Sequence, residues 1–227
     1  MEIVRHRSMI VFAFTPGLAR GVIHNDKTTA HMHIRLLHGA DIVPHIDDLA
    51  RLRLSVFREF PYLYDGTLDY ETRYLTTYAA SLESLFVLVL DGERVVGAAT
   101  GLPMVDETAE FQRPFVEQGW DTQRIFYFGE SVLLPAYRGR GFGVRFFNER
   151  EHYARQFGRF SHCAFCAVER PVDHPRRPAN YQPLNEFWGR RGYRHHPRLR
   201  TEYRWRDLDE PMESAKPMSF WLKELSP

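Results

Sequence analysis

Residues 125–134 (IFYFGESVLL) are almost continuously apolar. They lead, after Pro135, into a glycine-bearing turn, Arg138-Gly139-Arg140-Gly141-Phe142-Gly143, and then into helical periodicity over residues 143–157. No other succession constrains the chain as strongly. A run apolar at nearly every position is the pattern of a central strand covered on both faces. The glycines after it let the backbone approach a ligand closely, and the free N–H groups of a helix start favour an anion. Strand, glycine turn and helix together read as a phosphate cradle. Spacing excludes two familiar forms of it. Counted from Gly139, the sixth position of G-x-G-x-x-G is Val144, and the Gly-Lys-Ser/Thr of the Walker loop is absent.

The rest of the chain arranges itself around this unit. Residues 32–37 read as a first strand. Ile46, Leu49, Ala50, Val56, Phe57 and Phe60 follow the 3.6-residue period and predict a helix closed by Pro61. A second helix is expected over residues 69–80, then β-like runs over 85–90 and 94–100. Asp91-Gly92 between these runs signals a hairpin whose two turn positions need positive φ. A polar insertion with a short helix occupies residues 106–119. The helix over residues 143–157 places Phe146, Phe147, Tyr153, Ala154 and Phe157 on one face, and residues 161–168 read as a buried strand. A Pro- and Arg-rich loop over 170–183 leads to a short helix over 184–191. Leu199, Thr201, Tyr203 and Trp205 then alternate with charged residues as in a half-buried strand, and residues 217–222 offer the last strand. The order βααββ(α)βαβαββ predicts a mixed α/β sheet in a single domain over residues 32–227. Residues 1–31 show no sustained period and read as an appendage to that core.

With 227 residues, 44% of them hydrophobic, the chain can bury one sizeable core. The apolar run at residues 9–14 is far short of the ~20 residues of a membrane span, so no membrane partner is expected. Cys163 and Cys166 are the only cysteines, too few for a disulfide framework or a four-ligand zinc site. No metal is expected, and the chain reads as cytoplasmic. Their spacing puts the two thiols on opposite faces of a strand. The net charge of +1 hides a basic block, because residues 138–206 carry 16 Lys+Arg against 6 Asp+Glu. Such a block points to an anionic partner: a phosphorylated small molecule, an acidic protein surface or nucleic acid.

Arg138-Gly139-Arg140-Gly141-Phe142-Gly143 matches Arg/Gln-x-x-Gly-x-Gly/Ala and resembles the pyrophosphate loop of the GNAT superfamily of acyl-CoA-dependent N-acyltransferases. The order of elements from Met32 onward is similar to that family's as well. The resemblance implies a central mixed β-sheet flanked by helices, with acetyl-CoA as cosubstrate. It places the pyrophosphate on the backbone amides of Gly139, Arg140, Gly141, Phe142 and Gly143, with Arg138 favoured over Arg140 to neutralise phosphate. It runs the pantetheine arm beside Val132, Leu133 and Leu134. An N–H at Val132 or Leu133 would polarise the thioester carbonyl.

Acyl transfer to an amine needs a proton acceptor for the amine and a proton or other stabilisation for the leaving thiolate. Glu130, in the central strand, is the expected base, its pKa raised by apolar neighbours. A glutamate paired with an arginine for architecture is the competing reading. The family often carries a tyrosine four residues before a Gly-Phe pair, and here Trp188 stands at that distance from Gly192-Tyr193. Tyr181, Tyr62 and Tyr64 are the substitutes, with Tyr181 expected to be the catalytic one. The aromatic loop containing Tyr62, Tyr64 and Asp65 corresponds to the region that covers the acceptor in this family. His174 reads as a solvated loop histidine. The implied function is an N-acetyltransferase acting on a primary amine in a ternary complex, in a cytoplasmic protein of bacterial type. The alternatives are a non-catalytic acyl-CoA sensor of the same fold and a nucleic-acid-binding protein. Exposed edges of the C-terminal hairpin invite a homodimer.

Overall fold

Among the described residues, seven strands and five α-helices follow one another in the order read from the sequence. The computed structural model describes residues 32–226, so the 1–31 appendage lies outside the described residues. Strand β1 (Met32–His38) is followed by α1 (Ile46–Phe57) and α2 (Leu68–Ala80), then by β2 (Leu85–Asp91) and β3 (Arg94–Pro103). Helix α3 (Ala109–Glu117) precedes β4 (Ile125–Leu133), and α4 (Phe142–Gln156) precedes β5 (His162–Val168). The short α5 (Asn185–Gly189) leads to β6 (Arg194–Trp205) and β7 (Ser214–Glu224). The sheet order is β1-β2-β3-β4-β5-β7-β6. Every pairing is antiparallel except β4 with β5. No helix among the described residues is long and apolar enough to cross a membrane.

All nine residues of β4 are buried, as its unbroken apolar run requires. One face of the sheet carries α4, whose Phe147 packs against Phe128 of β4 and Phe165 of β5. The other carries α1, α2 and α3, with Phe111 of α3 against Tyr127. Cys166 meets Tyr127 on the α3 face, whereas Cys163 lies near Arg150 and Glu151 of α4, so the thiols do face opposite sides.

Three boundaries differ from the sequence reading, each for a physical reason. Helix α1 stops at Phe57 because Pro61 excludes the helical region for the residue before it, and two tight turns carry residues 56–62 instead. The hairpin turn is Gly92-Glu93, since Asp91 still pairs with Arg94, and only Gly92 takes a positive φ, 59°. Strand β6 starts at Arg194 rather than near Leu199. A register shift between His196 and Arg200, spanning Pro197, breaks the alternation that would have revealed the earlier residues. The outer edge of β6 carries Pro197 and exposed arginines at 198, 200 and 204, features that oppose the strand pairing expected of a homodimer.

Candidate active site

Two features of β4 create an opening at its C-terminal end. The first is its brief parallel pairing with β5, which covers only Ile125↔His162, Phe126↔Cys163 and Tyr127↔Ala164, after which the strands part. The second is a bulge against β3: Ala99 faces Ser131 and Gly101 faces Phe128, so Gly129 and Glu130 together oppose Thr100. Beyond the bulge the ladder resumes, and the N–H of Leu134 donates to Val96 O. Alternation along an antiparallel pair then turns the amide of Val132 towards β3 and that of Leu133 towards the gap. Of the two backbone donors considered from sequence, Leu133 is the one aimed at the opening.

The chain crosses from β4 to α4 through Gly139 at φ 76° and Gly141 at φ 87°, the latter capping α4 in the left-handed region. A Cβ added at either would meet no protein atom within 4 Å. The loop is therefore open on its outer side, and the residues present fit an anion held on backbone amides at a helix start. Arg140 is exposed, with its guanidinium 5.5 Å from the Tyr137 ring, beside this loop. Arg138, favoured for phosphate from sequence, is turned away. Its guanidinium makes a two-pronged pair with Glu59 at 2.8 and 3.0 Å and donates to Leu133 O at 3.1 Å, strapping the end of β4 to the segment after α1.

A cavity of about 290 Å³ opens beside the C-terminal end of β5, under α5 and the 170–184 loop. Tyr181 lines it, its ring 4.6 Å edge-on from Phe60, and so does Trp188 of α5. Tyr62 reaches the cavity with one edge while stacking on Trp205. The other two acceptor-loop residues do not reach it. Tyr64 is in the core beside Glu71, where burial and that carboxylate push its phenol upward, and Asp65 pairs with Arg58 and Arg206. Arg170 explains the difference. It donates to Pro61 O and Tyr62 O and pairs with Asp207, while Trp205 Nε1 also donates to Tyr62 O, so the loop is sewn flat onto the end of β6. His174 stands outside the lining, 5.6 Å from the Phe60 ring.

Glu130 is fully buried and lines neither this cavity nor a second one of about 260 Å³ between α2 and residues 102–108. Its carboxylate pairs with Arg53 of α1, which also pairs with Glu71 of α2. The guanidinium lies 4.7 Å from the Phe57 ring centroid and 4.3 Å from that of Tyr74. In this arrangement Glu130 is not placed to take a proton from an amine in either cavity. Its burial and its pair with Arg53 fit the competing reading, a glutamate held for architecture. Burial raises its pKa above 4.5, with Arg53 opposing. The unfolded chain therefore loses this proton first as pH rises, and the stability tied to Glu130 declines from about pH 4.5 upward through its folded value. The wild type's stability advantage over Glu130→Gln should be largest at about pH 4.5 and below and shrink as pH rises, in urea titrations. An advantage that grows with pH would mean that the Arg53 pair outweighs burial at this carboxyl.

Sequence reasoning missed Arg150, hidden in a helix that reads as amphipathic. Fully buried, it donates to Phe146 O, Thr100 O and Glu130 O at 3.0 Å and to Ser131 Oγ at 2.8 Å. Burial lowers its pKa to about 10, so it stays charged at neutral pH. It also missed Arg177 and His195, which line the first cavity from an irregular loop and from the unrecognised start of β6. The basic block of residues 138–206 does not form one patch. Arg138, Arg159, Arg170 and Arg206 pair with Glu59, Glu83, Asp207 and Asp65, all outside the block.

Known proteins share this fold. The family model described as acetyltransferase (GNAT) family matches residues 49–178. An N-acetyltransferase from Staphylococcus aureus Mu50 superposes with a TM-score of 0.56 at 11% identity, over 86% of this chain and 99% of its own. Ribosomal-protein-alanine N-acetyltransferase from Brucella melitensis does so with 0.54 at 14% identity, over 85% and 99%. A putative acetyltransferase from Salmonella typhimurium, solved with its cofactor acetyl-CoA, gives 0.51 at 14% identity, over 86% and 94%. At these identities the likeness is one of fold. No curated protein matches the sequence.

Proposed function

The chain belongs to the acetyltransferase (GNAT) family, and from that premise we propose that it is an N-acetyltransferase, moving an acetyl group from acetyl-CoA to the primary amine of a small acceptor while both are bound. One observation supports the reading: an anion cradle at residues 139–143 follows β4 where it parts from β5, and Ala167 and Val168, at the parted end of β5, line a cavity. The amides of Gly139, Arg140, Gly141, Phe142 and Gly143, with the Arg140 guanidinium, would hold the pyrophosphate. Leu133, with Val132 and Leu134 on either side, would flank the pantetheine arm. The Leu133 N–H would donate to the thioester oxygen, where negative charge gathers during attack.

In the reaction the amine nitrogen bonds to the acetyl carbon as the carbon–sulfur bond breaks; the nitrogen releases a proton and the sulfur takes one up. Tyr181 suits the second task. Burial pushes its phenol upward, against the nearby Arg177, so it keeps a proton to give. For the first task the lining side chains able to accept a proton are Glu169 and His195. Glu169 is paired with Arg200, which leaves the imidazole of His195. The test is acetyl transfer from acetyl-CoA to an amine panel. Tyr181→Phe is expected to lower kcat about a hundredfold with the KM for acetyl-CoA unchanged. An unchanged kcat would remove Tyr181 from the chemistry.

Trp188 supports a second reading. It occupies the wall where the family often has its tyrosine, and it cannot donate a proton as an acid, as suits a protein that binds acyl-CoA without turnover. Acetyl-CoA binding with no transfer to any amine would select it. Two buried free thiols fit a reducing compartment such as the cytoplasm.

A further inference from the structure

The charges in the wall of the first cavity are not balanced. Five rings line it, Phe60, Tyr62, Tyr181, Trp188 and Trp221, among aliphatic residues such as Val168 and Leu184. Its charged lining consists of Glu169, Arg170 and Arg177, with His195 titratable beside them. Glu169, the lining carboxylate, is taken by Arg200. Arg170 is neutralised by Asp207 and spends its remaining donors on backbone carbonyls. Arg177 differs from both. Its guanidinium lies over the Tyr181 ring, 4.8 Å from the centroid, and no carboxylate pairs with it among the described residues. The wall therefore presents aromatic plates and one uncommitted cation.

We propose that the acceptor is a primary amine that also bears a carboxylate on an aromatic body, an aromatic amino acid by chemical class, and that Arg177 is the residue that selects it. The inference rests on the N-acetyltransferase reading and adds the substrate class. A guanidinium binds a carboxylate through paired donors, and its position against the Tyr181 ring orients that fork. The space, about 290 Å³, accommodates a single amino acid. A positive wall also shifts a bound ammonium towards its neutral form, the form that attacks. A plain aromatic amine would gain the rings but leave Arg177 unmatched. Asp65 supplies no counter-charge to this wall, being spent on Arg58 and Arg206.

The experiment is calorimetric titration of the full chain, with and without saturating CoA, using two matched pairs: phenylalanine with phenethylamine, and tyrosine with tyramine. The amino acids are expected to bind at least about tenfold more tightly than their decarboxylated partners, and Arg177→Gln should abolish that preference while leaving the amines unchanged. Arg177 belongs to a surface loop, so the variant should fold, and an unchanged melting temperature would verify it. Equal binding of amine and amino acid, a preference that survives in Arg177→Gln, or no binding by either amino acid would overturn the proposal. So would a loss of acetyl-CoA affinity in Arg177→Gln with amino-acid binding intact, which would give Arg177 to the donor. A separate acetyl-CoA titration of the wild type keeps the two readings apart: its failure would remove the enzyme assignment itself, whereas acetyl-CoA binding without amino-acid binding would overturn only the substrate class.

Discussion

Gly141→Val is expected to weaken acetyl-CoA binding by about a hundredfold or more while the protein remains folded. The residue caps α4 at φ 87°, and a side chain there would project into space that no protein atom occupies within 4 Å. The new methyl groups would stand where a phosphate must approach the amides, displacing at least two charge-assisted hydrogen bonds worth about 1.5 kcal/mol or more each. The left-handed backbone would cost a further ~1–2 kcal/mol of stability, or roughly 2–8 °C in Tm for a chain of this length. Calorimetric titration with acetyl-CoA and a melting curve on the same sample separate the two effects. An unchanged affinity would mean that residues 139–143 form only a turn, and the acetyltransferase reading would lose its main support. Gly139→Val, at φ 76° and equally open, provides an independent replicate.

The largest loss of stability should come from Arg150→Met, at about 3–5 kcal/mol, or roughly 6–20 °C in Tm. The bulge that sets Gly129 and Glu130 against Thr100 interrupts the β3–β4 ladder at Thr100 and Glu130. Arg150 Nη1 accepts the task of the missing ladder, donating to both carbonyls, while Nε and Nη2 reach Phe146 O and Ser131 Oγ. Methionine fills much of the volume and stacks adequately on Phe128, whose ring lies 4.1 Å from the guanidinium carbon, but it satisfies none of the four acceptors. Arg150→Lys keeps the charge without the planar fork and should recover only part of the loss. Urea denaturation of the three proteins would decide it. If Arg150→Met cost less than about 1 kcal/mol, the bulge would not depend on this side chain. Because the bulge lies four residues from Leu133, acetyl-CoA affinity should fall together with stability.

Most of the architecture was legible because it is written in short-range periodicity. The unbroken apolar run of β4, the 3.6-residue stripes of α1 and α4 and the glycines after Pro135 each constrain the backbone within a dozen residues. Together they implied the element order and the cradle. Element ends were less legible where a local rule was interrupted, as by the register shift across Pro197 that hid the first residues of β6.

Side-chain roles depended on partners distant in sequence. Arg138 and Glu59 are 79 residues apart, and only the fold shows that this arginine is a strap instead of a phosphate ligand. Glu130 looked like a base until α1 and α2 brought Arg53 and Glu71 against it from the sheet face opposite Arg150. Tyr64 and Asp65 looked like pocket residues until Arg170 and Trp205 bound their loop to β6. In each case the sequence by itself determined the backbone, because propensity and hydrophobic period act locally. The tertiary structure alone decided which charges were free to meet a ligand. An ionisable side chain takes the nearest opposite charge that folding delivers, and that neighbour has no fixed spacing along the chain.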